Sequence, residues 1–274
     1  MRIRIAHATT YRYTAPPGSV TQTLRLTPRN FDSQYVVDWR IELSQDCQLT
    51  PHQDAFGNVT HTFTAVGPFD ELRIGVEGLV DTQDTHGVVT GTVERFPPSL
   101  FLRTTSLTEP DDAIITLAEA SRSAGGDTLA VLHRLMATLY GEITFDTDPT
   151  HPATTAAEAY GLRRGVCQDI AHIFIAAARH LDVPARYVSG YFHRADGVTD
   201  QEAGHAWAEV FVEGLGWVAF DPTNGISATD AHVRVAIGLD YLGAAPIRGM
   251  QYGGGGETMN VAVAVEQARH QFQS

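Results

Sequence analysis

The chain contains no lysine: all 19 of its basic residues are arginine, set against 32 aspartates and glutamates. A genome whose composition favours Arg and Ala codons accounts for the missing lysine. The resulting formal charge of −13 argues against nucleic acid and against an anionic membrane surface as partners, both of which want basic patches. Cysteine is scarce as well. Two residues, Cys47 and Cys167, cannot make a disulfide framework, and a free thiol in a reducing compartment fits them better. Also missing is any apolar run near the roughly 20 residues that span a bilayer. The N-terminal MRIRIAHATTYRY alternates polar and apolar residues and lacks the apolar core of a signal peptide. Together these absences predict a soluble, cytoplasmic protein. Hydrophobic content of 43% against 19% charged is globular, and 274 residues hold two ordinary domains or one large one.

What is present falls into two kinds of pattern. Residues 1 to 105 read as antiparallel β structure, sandwich-like. RIRIAHATTYRY, TQTLRLTP, YVVDWRIELS, VTHTFTAV and ELRIGVEGLVD are short, alternating or β-branched, and separated by Pro, Gly and Asp. HQDAFGNVTHTF predicts a hairpin turning at Gly57-Asn58. In TQTLRLTP, Leu24 and Leu26 share one face while Thr23 and Arg25 take the other. Cys47 marks a strand end. FPPSLFLRTT marks the transition into residues 106–274, where the period becomes helical and the fold class becomes α+β. Asp111 and Asp112 open one helix, Asp127 caps the next, and Thr154 or Thr155 caps a third. Strands are expected near 185–192, 205–213 and 216–221. The last stretch, 226–274, is β-rich through HVRVAIGLD and TMNVAVAVEQ, and NVAVAVEQ is expected to return to the N-terminal domain.

Three residues in a span of 55 carry the chemistry. Between Val166 and Leu181 the apolar residues Ile170, Ile173, Phe174, Ala177, Ala178 and Leu181 recur at helical spacing. Gly165 precedes the run, so Cys167 stands at a helix N-terminus, where unpaired N–H groups and the helix dipole favour an anion. The same N–H groups can donate to the oxyanion of a tetrahedral intermediate. In HAWAEVF, alternation puts His205, Trp207, Glu209 and Phe211 on one face, and Ala206, Ala208, Val210 and Val212 on the other to pack on the Cys167 helix. Asp221 ends the strand WVAFD beside a Pro-Thr-Asn-Gly turn. GLGW is short enough for a hairpin that brings Asp221 to His205, where a carboxylate can hold and charge-balance an imidazolium. His172, His180 and His193 have no such setting and read as surface or core residues. No Cys/His ligand spacing and no HEXXH motif appears, so no metal is expected.

GVCQDIAH, RYVSGY, HAWAEV and GWVAFDPTN, in that order, resemble the core of the transglutaminase-like superfamily, a papain-like fold, over roughly residues 106–250. The β-rich N-terminal part with DAFGN resembles the domain that precedes this core in a bacterial subgroup. The resemblance implies Cys167 as nucleophile, His205 as base and acid, and Asp221 as the orienting carboxylate, with no departure at the three positions. It implies thioester chemistry on a peptide or protein amide: hydrolysis, or transfer of a glutamine acyl group to an amine. Hydrolysis is slightly preferred. Animal members use calcium, but no EF-hand loop or dense Asp/Glu run is present here, and no cofactor is expected. If the acceptor were a lysine amine, the missing lysine would spare the enzyme from modifying itself. The alternative is an interaction module that keeps the fold without turnover. The oligomeric state is not fixed by the sequence.

Overall fold

In β1 (Arg2–Tyr13) every odd-numbered side chain from Ile3 to Tyr13 is buried, the period of two that a half-covered sheet imposes. The structure, a computed structural model, describes residues 1–268. Alternation continues in β2 (Ser19–Thr27), where Leu24 and Leu26 turn into the core, and in β3 (Gln34–Leu43). β4 (Thr50–Gln53) and β5 (Val59–Val66) form the expected hairpin, with Gln53 opposite Val59. Gly57 supplies the positive φ of its loop, and Asp54 Oδ1 accepts the N–H groups of Phe56 and Asn58. β6 (Glu71–Thr82) completes the series.

The helices begin where the sequence supplies acceptors. α1 (Asp112–Ser123) starts at Asp111, whose carboxylate takes the N–H of Ile114 at 2.9 Å. α2 (Thr128–Glu142) starts at Asp127, which takes that of Ala130 at 2.8 Å. α3 (Ala156–Leu162) starts with a capping box between Thr155 and Glu158. α4 (Cys167–His180) is buried at every position from Asp169 to Arg179. The stripe read from the sequence is only part of its covered surface, because α4 lies between the other helices and the strands β7 (Ala185–Phe192) and β8 (His205–Val212). Its polar members Asp169, His172 and Arg179 are covered along with the apolar ones.

β9 (Gly216–Asp221) and β10 (His232–Gly238) complete a central antiparallel sheet in the order β9, β8, β7, β10, with Ile226–Ser227 on the outer side of β9. The chain then returns to its beginning. β11 (Ile247–Tyr252) pairs with β2, and β12 (Glu257–Gln267) pairs with β1 from Ile3↔Gln267 to Tyr13↔Glu257. The stretch 226–267 therefore divides: β10 belongs to the central sheet, and β11 and β12 belong to the N-terminal sheets. Those sheets, β12-β1-β6-β3 with Asp200–Gln201 at the edge and β11-β2-β5-β4, enclose Tyr11, Leu24, Phe63, Leu72 and Ile74 as a sandwich. At its other end the same face of β1 places Ile3 and Ile5 in the core built around α4. Residues 88 and 89 pair with β9, and Phe101 meets Trp217 edge-on at 5.2 Å, so this linking segment runs along the central sheet. Among the described residues no helix is long and apolar enough to cross a membrane.

Candidate active site

Cys167 is the first residue of α4, and no side chain caps this helix. Val166, in the N-cap position, has no acceptor to offer. Asp169 braces the entry from within the first turn instead, its Oδ2 accepting the Val166 N–H at 2.9 Å. The approach is close enough that a Cβ on Gly165 would come within 2.7 Å of that oxygen, which explains the glycine two residues before Cys167. Burial pushes the Asp169 carboxyl up, against the influence of Thr150 and of the Val166 N–H. The Asp169 N–H donates to the Val166 carbonyl at 3.0 Å, and no side chain caps the Cys167 and Gln168 amides ahead of it.

His205 is the first residue of β8 and Asp221 the last of β9, and antiparallel pairing of these strands brings the two to one end of the sheet. His205 Nε2 lies 2.7 Å from Asp221 Oδ2. That leaves Nδ1 for the thiol, and Cys167 lies close enough to the ring to help it hold its proton. Asp221 is fully buried. Its Oδ1 accepts the backbone N–H groups of Thr223 and Asn224 at 3.1 and 3.2 Å, and its Oδ2 accepts the Asn224 side-chain amide at 2.6 Å. The Pro-Thr-Asn-Gly turn thus cradles the carboxylate it follows. The structure brings Cys167, His205 and Asp221 together.

The electrostatics follow from this packing. Burial alone would strip the proton from His205, but the Asp221 charge and hydrogen bond, helped by Cys167, outweigh it and raise the imidazole to about 10. Burial would likewise raise Asp221, yet His205 and His232 hold it well below the usual carboxylate range. A histidine with a raised folded value contributes stability that is complete below its unfolded value of 6.5 and is lost as pH rises towards 10. The depressed Asp221 contributes above its unfolded value of 3.8 and loses that contribution as pH falls through its folded value. The pair therefore stabilises most between these two unfolded values. The urea midpoint of the wild type is expected to fall more steeply on the alkaline side than that of His205→Ala, and parallel curves would refute the assignment.

Behind the three residues stands a network that alternation alone did not reveal. Ala206, Ala208, Val210 and Val212 face α4 as expected, and Trp207 lies in the opposite layer with Phe101 and Trp217. Trp207 lies so close over Gly190 that a Cβ there would meet its ring at 2.6 Å. Glu209, fully buried, accepts from Arg186 and Arg234, each at 2.7 Å. Burial would raise its carboxyl, but the two guanidinium groups hold it below the usual range. The other histidines separate by role. His172 is buried, pushed down to about 3 by burial, and accepts the Tyr241 N–H at 3.0 Å. His180 pairs with Glu119 at 3.0 Å. The residue the sequence reading missed is His232, whose Nε2 lies 3.1 Å from Asp221 Oδ2. The only sequence signal is a histidine opening HVRVAIG, 11 residues beyond Asp221.

His205, Asp221 and His232 are the one group of described residues whose metal-type donor atoms fall within 4.8 Å of one another. Oδ2 is in hydrogen-bond contact with both imidazole nitrogens and with the Asn224 amide. The N···O separations of 2.7 and 3.1 Å are those of hydrogen bonds between the two rings and the carboxylate.

Residues 115–222 match the model of the transglutaminase-like superfamily, and residues 3–81 match that of the bacterial transglutaminase-like N-terminal region. An uncharacterized protein of Mycobacterium leprae is 28% identical over 285 residues, covering 96% of this chain and 98% of its own. An uncharacterized protein of Mycobacterium tuberculosis strain H37Rv is 30% identical over 275 residues, covering 92% of this chain and 88% of its own. The crystal structure of a candidate cysteine protease from Cytophaga hutchinsonii aligns with a TM-score of 0.80 at 21% identity, over 100% of this chain and 92% of that one. That likeness is one of fold.

Proposed function

The chain belongs to the transglutaminase-like superfamily, and from that premise we propose that it is an enzyme breaking an amide bond through a thioester on Cys167. The observation that carries the reading is the 2.7 Å hydrogen bond from His205 to a buried Asp221, with Cys167 acting on the same ring from a helix start. The Cys167 sulfur, as thiolate, attacks the amide carbonyl, and the negative charge that develops on the carbonyl oxygen falls to the uncapped N–H of Cys167. As the tetrahedral intermediate collapses, His205 Nδ1 gives its proton to the departing amine and a thioester forms. Water or a second amine then attacks the thioester carbon while the neutral His205 takes its proton. The second collapse returns the electron pair to sulfur and leaves His205 protonated again. Asp221 keeps the ring oriented and balances its charge in both halves.

Water needs no acceptor site of its own, so hydrolysis of a peptide or protein amide is the preferred outcome. Both cysteines are free, which supports a reducing, cytoplasmic setting. The deciding experiment incubates the protein with dimethylated casein and a fluorescent primary amine, with mass spectrometry of the products. Cleavage or deamidation without amine incorporation is expected. Incorporated amine would make the protein a transferase, and no product in either arm would remove the enzymatic reading for this substrate class.

A further inference from the structure

Asp221 is held by four donors besides His205, and three of them come from its own turn: the N–H groups of Thr223 and Asn224 and the Asn224 side chain. Those three fix the carboxylate only relative to that turn. The fourth is His232, the first residue of β10, a strand separated from β9 by β8 and β7. It alone ties Oδ2 to a distant strand of the sheet that carries His205. The ring itself is confined. It is 6% exposed, with the Phe192 ring 4.6 Å and the Trp207 ring 5.3 Å away, centroid to centroid.

The proton position on His232 follows from its second contact. Nδ1 lies 3.1 Å from the backbone nitrogen of Thr229. A backbone N–H can only donate, so Nδ1 presents its lone pair and the ring proton is on Nε2, pointing at Asp221. Protonating Nδ1 would set two hydrogens against each other. We propose that His232 is a positioning residue: a neutral Nε2–H donor that locks Asp221 Oδ2 on the His205 ring. Its neutrality has a use. His205 is faced by Cys167 from α4, Asp221 from β9 and His232 from β10, with the two imidazole centroids 6.1 Å apart. A second cation at that distance would weaken the charge that His205 holds for the thiolate. One carboxylate thus serves two histidines in opposite charge states.

The inference rests on the catalytic reading, and its test separates the two. His232→Phe keeps a ring against Phe192 and Trp207 but loses the donor, whereas His232→Gln keeps an N–H donor. The readouts are the rate of Cys167 alkylation by iodoacetamide at neutral pH and the titration of the His205 imidazole followed by nitrogen-15 NMR. In His232→Phe, alkylation is expected to slow about 10- to 100-fold, the range found for groups that orient a functional ligand, and His205 loses its proton at least one pH unit earlier. His232→Gln stays close to the wild type in both. A folded His232→Phe with unchanged His205 titration overturns the proposal, as does His232→Gln behaving like His232→Phe. Should His232→Phe fail to fold, the wild-type spectrum and His232→Gln decide: a His232 that is doubly protonated at neutral pH contradicts the assignment. If Cys167 is not the nucleophile, the alkylation arm fails in the wild type too, while the His205 titration still reports on His232.

Discussion

Cys167→Ala is expected to abolish alkylation by iodoacetamide at neutral pH and to lower turnover by roughly four to six orders of magnitude, the scale of losing a covalent nucleophile. Alanine removes the only group of the site that can form a bond to the substrate, and it leaves the helix start, His205 and Asp221 where they are. Stability should change little, since Cys167 is only partly buried at the end of α4. The second cysteine is the internal control. Cys47 is half-buried in the N-terminal region, its thiol pushed up by burial and by Asp46. Cys47→Ser should therefore leave labelling and turnover unchanged. Labelling that persists undiminished in Cys167→Ala, and has moved to Cys47, would show that the nucleophile is misassigned.

Asp221→Asn is expected to cost about 10³- to 10⁴-fold in turnover. The carboxylate accepts five hydrogen bonds and donates none. An amide of the same shape puts an NH₂ group in this ring of donors, and at least one contact becomes donor against donor. If the NH₂ faces His205, the ring must present a bare Nε2 and carry its proton on Nδ1, the wrong tautomer for taking a proton from an attacking water or amine. If it faces the backbone of Thr223 and Asn224, the turn opens. Either way the charge that keeps His205 protonated is gone, so its proton is released at lower pH. Loss of charged hydrogen bonds should also cost about 2 kcal/mol or more of stability. Single-turnover kinetics together with urea unfolding check both parts. Near-wild-type turnover in a stable Asp221→Asn would remove Asp221 from the reaction.

The sequence made legible whatever is decided locally. Alternation in β1 and β2, the Asp111, Asp127 and Thr155 caps, and the helix start at Cys167 all depend on residues a few positions apart. The pairing of His205 with Asp221 was also readable, because a three-residue connection between β8 and β9 leaves little freedom. His232 was not. It reaches Asp221 from beyond β7 and β8, and no local period records which strand lies at the far side of a sheet. Glu209 could be placed on a face but not given partners, since Arg186 comes from β7 and Arg234 from β10. The return of β11 and β12 is similar. Their alternation makes them strands, but the register that sets Tyr13 against Glu257 comes from matching two distant faces. The double duty of β1, with Tyr11 in the sandwich and Ile5 in the helical core, is a property of how the layers stack.

Catching the acyl group on the enzyme is the most direct test that amide cleavage runs through a thioester on Cys167. The protein is mixed with a peptide amide substrate, quenched in acid within the first turnover, weighed intact and then mapped by peptide. A transient acyl mass is expected on the peptide that contains Cys167, removed by hydroxylamine at neutral pH as a thioester should be, and lengthened in life by His205→Ala. Product accumulating with no such adduct, or an adduct on any other residue, would contradict a thioester on Cys167.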